Sequence, residues 1–308
     1  MRLIFMGTPD TAVPTLKRCI EDGHEVVAVW TQPDRPSGRG NKLSAPPVKE
    51  FALERGLTVH QPAKIKTEEA AAVFSSYKAD AAIVVAYGRI LPASFLNATR
   101  LGCINVHFSL LPKYRGAAPV NWSIVRGESE TGVTTMQIGL GLDTGPILLQ
   151  RATEIGVEET APELMRRLSF MGADLLSETL KRIDEIEPRA QREEDATLAP
   201  VLKREDGLIE WSLTATEIEQ RVRGFQPWPN AHTSYEGRRL IIWRALVESE
   251  TQTGVAGEIV EAHGDSLKIL CGEGSVLRLI EVQPEGKRRM SVRDFLNGAR
   301  VQVGEKLE

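Results

Sequence analysis

The sequence is short of cysteine, of aromatic side chains, of long apolar runs and of positive charge, and each shortage removes a class of protein. Cys19, Cys103 and Cys271 are the only cysteines among 308 residues. Odd in number, widely spaced and without a Cys-x-x-Cys pair, they suggest neither a disulfide framework nor a zinc site and read as reduced core residues. The early apolar run at residues 3–6 stops at Gly7-Thr8-Pro9-Asp10, too soon for a signal-peptide core or a membrane span, so a cytoplasmic location is expected. A net charge of -4 excludes a uniformly positive surface for nucleic acid, so any RNA contact must use local basic patches. The turn after the first apolar run holds one glycine in place of Gly-x-Gly-x-x-Gly, which argues against a nicotinamide-dependent reductase.

What is present is an alternation. Short apolar or β-branched runs at residues 3–6, 26–30, 81–86, 104–108 and 133–138 are separated by helix-like stretches, the pattern of a parallel sheet with crossover helices. The fold class expected is therefore α/β, a doubly wound, mostly parallel sheet. Residues 11–22 carry Val13, Leu16 and Ile20 at helical spacing and stop at Gly23, with Pro14 tolerated in the first turn. Between residues 160 and 187, Leu164, Leu168, Met171, Leu175, Leu180 and Ile183 predict one long amphipathic helix. Residues 188–200 are polar, carry Glu193-Glu194-Asp195 and have no apolar period, which reads as an exposed linker. After a short helix near residues 215–223, five strand-like runs separated by Glu236-Gly237, Gly264-Asp265 and Gly272-Glu273-Gly274 predict a small C-terminal β-barrel of oligonucleotide-binding type. The expected division is an α/β domain at 1–188, a linker at 189–206 and a barrel domain at 207–308.

Two segments stand out as chemistry. In Asn105-Val106-His107-Phe108-Ser109-Leu110-Leu111-Pro112, Asn105 and His107 lie two apart on a strand and share one face. In Gly141-Leu142-Asp143-Thr144-Gly145-Pro146 a carboxylate sits in a glycine-flanked turn. A carboxamide and an imidazole aimed at one point can donate hydrogen bonds to an oxygen that gains negative charge, as acyl transfer requires. A nearby carboxylate would hold the imidazole's tautomer. Taken singly, His107 and Asp143 read first as a satisfied core histidine and a turn cap; the other histidines, His24, His60, His232 and His263, have no comparable neighbours and read the same way.

The Asn105-Val106-His107 strand, the following Ser109-Leu110-Leu111-Pro112 and the later Asp143-Thr144-Gly145 turn together resemble the folate-dependent formyltransferases. Further stretches resemble the branch of that family whose acceptor is methionine on initiator tRNA. They are Thr31-Gln32-Pro33-Asp34-Arg35-Pro36, Ala86-Tyr87-Gly88-Arg89-Ile90-Leu91-Pro92, Lys113-Tyr114-Arg115-Gly116-Ala117-Ala118-Pro119 and Gln226-Pro227-Trp228-Pro229. The resemblance implies a Rossmann-like catalytic domain with Asn105, His107 and Asp143 as catalytic residues, a monomer, and 10-formyltetrahydrofolate as co-substrate without a metal. It implies a folate pocket at Ser109, Leu110, Leu111, Pro112 and at Tyr87, Gly88, Arg89, Ile90, Leu91, and initiator methionyl-tRNA as partner. The alternative it leaves is a formyltransferase acting on glycinamide ribonucleotide or an amino sugar nucleotide. A non-catalytic RNA-binding protein using the barrel alone would leave Asn105, His107 and Asp143 without a purpose.

Two basic clusters are candidates for the tRNA. Residues 33–49 carry Arg35, Arg39, Lys42 and Lys49 among prolines and glycines; a stretch so poor in apolar anchors is expected to order on meeting its partner. Lys287, Arg288 and Arg289, with Arg293 nearby, form the second cluster. The resemblance assigns Arg39 to the acceptor end of the tRNA. Arg39→Ala is accordingly expected to impair use of initiator tRNA and to weaken its discrimination from elongator tRNA, with folate affinity unchanged. Neutralising a phosphate-facing lysine should instead reduce the salt slope of binding by about 0.7–0.9. Kinetics on both tRNA types, with trypsin digestion of the loop with and without tRNA, check this; wild-type kinetics and unaltered cutting would leave the loop a solvated linker.

Overall fold

The structure, a computed structural model, describes residues 1–37 and 42–308. Contacts gather the chain into two compact units: Met1–Pro119 with Glu130–Glu154 and Met165–Ala199, and Val120–Ser129 with Ile155–Leu164 and Pro200–Glu308.

The chain opens with β1 (Arg2–Gly7), buried from Leu3 onward, as an apolar strand covered on both faces should be. In α1 (Val13–Glu21) the proline sits in the first turn, where its missing N–H leaves nothing unpaired. Next come β2 (Glu25–Trp30), a hairpin of β3 (Arg35–Ser37) and β4 (Lys42–Ser44), α2 (Pro47–Leu53) and β5 (Val59–His60). Helix α3 (Glu68–Ser76) starts at Thr67, whose hydroxyl accepts the Ala70 N–H. It is followed by β6 (Ala81–Val85), α4 (Ala93–Leu96), β7 (Cys103–His107), β8 (Arg115–Gly116), α5 (Pro119–Val125), β9 (Glu130–Gln137), β10 (Ile147–Glu154), α6 (Ala161–Lys181) and β11 (Leu198–Ala199).

Among the described residues the first unit holds a seven-stranded sheet in the order β10-β9-β7-β6-β1-β2-β5. Strands β1, β2, β5, β6 and β7 pair in parallel, but β9 runs antiparallel to β7 and β10 antiparallel to β9. The sequence pattern assigned residues 133–138 to the parallel set. An apolar run records burial and not direction, which is set by the connection that leads into the strand. Strand β5 is too short, and β10 too mixed in burial, to have shown in an apolar pattern.

One face of the sheet is covered by an aromatic cluster in which Phe74 stacks on Phe95 at 4.1 Å and both meet Trp30 edge-on at 5.4 Å. On the other face α6 approaches β7 so closely that a Cβ on Gly172 would lie 2.7 Å from Val106 Cγ1. Val106 thus points at α6, and Asn105 and His107 point to the opposite side. The stretch read as a linker is exposed but not loose. Arg189 and Ile147 exchange backbone hydrogen bonds of 2.8 Å, and β11 pairs with β8 in parallel. Hydrogen bonding orders this segment where apolar periodicity is absent.

In the second unit α7 (Ala215–Gly224) begins with a capping box of Thr214 and Glu217. The strands β12 (His232–Tyr235), β13 (Arg238–Thr251), β14 (Ile259–His263), β15 (Ser266–Leu270) and β16 (Ser275–Pro284) form an antiparallel sheet in the order β12-β13-β16-β15-β14, with β17 (Met290–Ser291) on β16 and α8 (Val292–Gly298) after it. Glu236 and Gly237 both take positive φ, +50° and +71°, as a two-residue hairpin turn needs. Irregularities along the β13–β16 pairing bend the long strand, as bulges do in small barrels, around a core that includes Ile218, Val222, Ile242, Leu267 and Leu277.

The three cysteines are free and buried, and burial pushes each thiol up to about 12. No helix among the described residues is long and apolar enough to cross a membrane.

Gly172→Ala tests the approach of α6 to β7. Alanine gains about 0.5–1 kcal/mol of helix propensity, but its methyl meets the stiff Val106 side chain, and overpacking costs about 1–3 kcal/mol. A lowered urea midpoint is expected; an unchanged or raised one would mean that α6 lifts off the sheet freely.

Candidate active site

Strand β7 delivers two polar side chains on one face. Asn105 is half-buried, and among the described residues its carboxamide has no hydrogen-bond partner. His107 is 6% exposed, and its Nε2–H donates to the Tyr114 carbonyl at 2.9 Å. That bond fixes the ring and leaves Nδ1 as the nitrogen free to exchange a proton.

Nδ1 faces Asp143 Oδ2 at 3.8 Å, too long for a direct hydrogen bond. Oδ2 itself accepts the Gly116 N–H at 2.8 Å, and Oδ1 has no partner among the described residues. The turn that carries the carboxylate is tight for a stated reason: a Cβ on Gly145 would lie 1.8 Å from the Gln137 carbonyl oxygen, so only glycine closes it. Asp143 takes φ +51°, a left-handed conformation that aspartate tolerates better than most residues.

The groups that hold this geometry come from distant parts of the chain. Thr134, fully buried, donates to the Ser109 carbonyl at 2.7 Å and accepts the Leu111 N–H at 3.2 Å and Gln150 Nε2 at 3.0 Å. Gln191 Nε2 donates to the carbonyls of Asp143 and Gly145, both at 2.7 Å, and its Oε1 accepts from Arg115 Nε at 3.0 Å. Arg115, 4% exposed, also donates to Glu193 at 2.9 Å. The sequence reading passed over Thr134, Gln150 and Gln191, because a polar side chain that bonds across the fold leaves no periodic trace; Arg115 was visible only as part of a motif.

The residues expected around the folate divide by exposure. Ser109 and Leu111 are buried, Ser109 Oγ donating to the Lys113 carbonyl at 2.6 Å, while Leu110 and Pro112 are half-buried. Tyr87 and Leu91 are core residues of the aromatic cluster, so the Tyr87 ring is withdrawn from any surface; the Tyr87 carbonyl accepts from Thr8 Oγ1 and Gln32 Nε2. Gly88 and Ile90 remain exposed. Arg89 ties this segment down by donating to Gln32 Oε1 and to the carbonyls of Pro62 and Ala63.

The basic candidates also divide. Arg35 is exposed on β3, Lys42 lies on β4, and Arg39 lies outside the described residues. The expectation that residues 33–49 lack structure of their own is corrected at both ends: β3 and β4 pair, and Lys49 binds Asp34 at 2.7 Å. The hydrogen bonds from Lys49 and Gln61 hold the Asp34 carboxyl below its ordinary range. Lys287 and Arg288 are exposed without an ion-pair partner among the described residues, whereas Arg289 pairs with Glu281 and lies over the Trp243 ring at 5.1 Å. Arg293 pairs with Asp265. No group of three or more His, Cys, Asp or Glu among the described residues is placed to share a metal ion.

Comparison with known proteins extends over the whole chain. A model of the formyl transferase family matches residues 1–180, and one of the formyl transferase C-terminal domain matches residues 201–300. A methionyl-tRNA formyltransferase of Geobacter metallireducens is 48% identical over 309 residues, covering 100% of this chain and 98% of its own. One of Solibacter usitatus is 50% identical with the same coverage. The crystal structure of an N-formyltransferase from Helicobacter canadensis, in complex with folinic acid and dTDP-3-aminofucose, aligns with a TM-score of 0.67 over 92% of this chain and 98% of its own. At 20% identity that likeness speaks to fold alone. With the formyl transferase model matching more than half of its residues and relatives about half identical from end to end, the chain belongs to the formyl transferase family.

Proposed function

We propose that this enzyme transfers the formyl group of 10-formyltetrahydrofolate to the amino group of methionine on initiator methionyl-tRNA. The observation that carries the reading is the approach of His107 Nδ1 to Asp143 Oδ2 at 3.8 Å, with the Asn105 carboxamide on the same face of β7 as His107. End-to-end identity with methionyl-tRNA formyltransferases supports the choice of acceptor. The residues fit the co-substrate: the unpartnered Asn105 carboxamide suits a carbonyl oxygen, and Ile90 and Leu142, 69% and 58% exposed, offer apolar surface to an aromatic ring system.

When bound, the folate supplies an activated formyl carbon whose oxygen gathers negative charge as a neutral amine attacks. Asn105 donates a hydrogen bond to that oxygen, and being fixed on a strand it needs no reorganisation to do so. His107 works through Nδ1, since Nε2 is engaged by Tyr114. Asp143, its Oδ2 held by Gly116, takes on its free Oδ1 the proton that the amine must lose and returns it, directly or through one water, to the folate nitrogen as the bond between that nitrogen and the formyl carbon breaks and tetrahydrofolate leaves. Arg35, Lys42, Lys287 and Arg288 serve as local cations for the tRNA backbone and Arg39 reaches the acceptor end; Lys49 spends its charge on Asp34 and acts by bracing the loop.

Asn105→Ala, His107→Ala and Asp143→Ala are each expected to lower turnover by ~100- to 1,000-fold, with folate binding changed far less. The assay is formyl transfer from 10-formyltetrahydrofolate to methionyl-tRNA, run beside glycinamide ribonucleotide. Near-normal turnover by a folded variant would remove that residue from the mechanism, and transfer to glycinamide ribonucleotide alone would overturn the acceptor.

A further inference from the structure

We propose that Gln191 is a positioning residue for Asp143, setting the turn that aims the carboxylate at His107; this rests on the role given to Asp143 above. Asp143 sits at φ +51°, where a residue with a side chain stays only if its surroundings hold it. Gln191 supplies that hold. Both protons of its amide are used, one on the Asp143 carbonyl and one on the Gly145 carbonyl, at 2.7 Å each.

The orientation of the carboxamide is chemically determined. Arg115 can only donate, and its Nε lies 3.0 Å from Gln191 Oε1, so the oxygen must face Arg115 and the nitrogen must face the turn. Reversing the amide would set its oxygen against two carbonyl oxygens and its NH2 against a guanidinium. Arg115 cannot swing away, being 4% exposed and engaged by Glu193 on its other side.

The same short segment, residues 114–116, closes the arrangement. Tyr114 accepts from His107, Arg115 orients Gln191, and Gly116 donates to the Asp143 carboxylate. Residues 114–116 thereby hold the histidine directly, the carboxylate head through Gly116, and the carboxylate's backbone through Gln191. Without Gln191 the Gly116 bond alone would have to place Asp143. A misplacement of about 1 Å can cost ~100-fold in rate.

The test uses the full-length enzyme and a double-mutant cycle. Gln191→Leu, close in size but without polar atoms, is expected to lower kcat about 10- to 100-fold while leaving KM for folate and for methionyl-tRNA nearly unchanged. Gln191→Glu keeps an acceptor for Arg115 but loses both donors, and should fall as far. In an Asp143→Asn background, Gln191→Leu should cost less than about twofold more, because a residue that acts only through Asp143 has nothing left to position. Equal losses in both backgrounds, or losses that appear in KM rather than kcat, would make Gln191 a general brace and overturn the proposal. Wild-type kcat in folded Gln191→Leu would overturn it as well. If Asp143→Asn itself turns over normally, the assignment of Asp143 fails, and that result is read independently of either Gln191 variant.

Discussion

The site depends on one hydrogen bond of 2.8 Å, from the Gly116 N–H to the carboxylate of Asp143. It joins a turn at the end of β9 to the strand segment that also caps His107 through the Tyr114 carbonyl. Gly116 is positioned for this by its pairing with Ala199: a Cβ there would lie 2.5 Å from the Ala199 carbonyl oxygen, and its φ of +123° suits only glycine. Residues 114–116 therefore answer for the geometry of both His107 and Asp143, and the polar segment at 189–199 answers for Arg115 and Gly116.

Arg115 shows how such an arrangement is kept within energetic reach. Burying a guanidinium is costly unless it is paired and hydrogen-bonded. Here one side meets a neutral carboxamide and the other meets Glu193, which is 81% exposed in its side chain. The carboxylate partner stays largely in water while the cation is desolvated, so the pair does not bring two charges into the interior. What it contributes is direction: a planar donor that can address Gln191 in only one sense.

Ionic contacts elsewhere serve a similar purpose. Lys49, a sequence candidate for phosphate, donates instead to Asp34, whose carboxylate also accepts from Gln61. Arg89, within the segment expected to meet folate, spends its donors on Gln32, Pro62 and Ala63. Charged residues in motif positions thus divide into those that build the site and those left for a ligand, a division that depends on which partners the fold brings within about 3 Å.

By itself the sequence determined the alternating α/β pattern, the small C-terminal barrel and the pairing of Asn105 with His107 on one face, because the two-residue strand period and the 3.6-residue helix period are local properties. It also determined the family, since Asn105-Val106-His107, the following Ser-Leu-Leu-Pro and the Asp143 turn are specific in combination. Only the tertiary structure decided that β9 and β10 reverse direction, that Tyr87 belongs to the core, that Lys49 is already paired, and that Gln191 reaches the Asp143 turn. Strand direction follows from where a connection crosses the sheet, and a side chain's role follows from which partners surround it; both are set by residues far apart in the chain, and no local period records them.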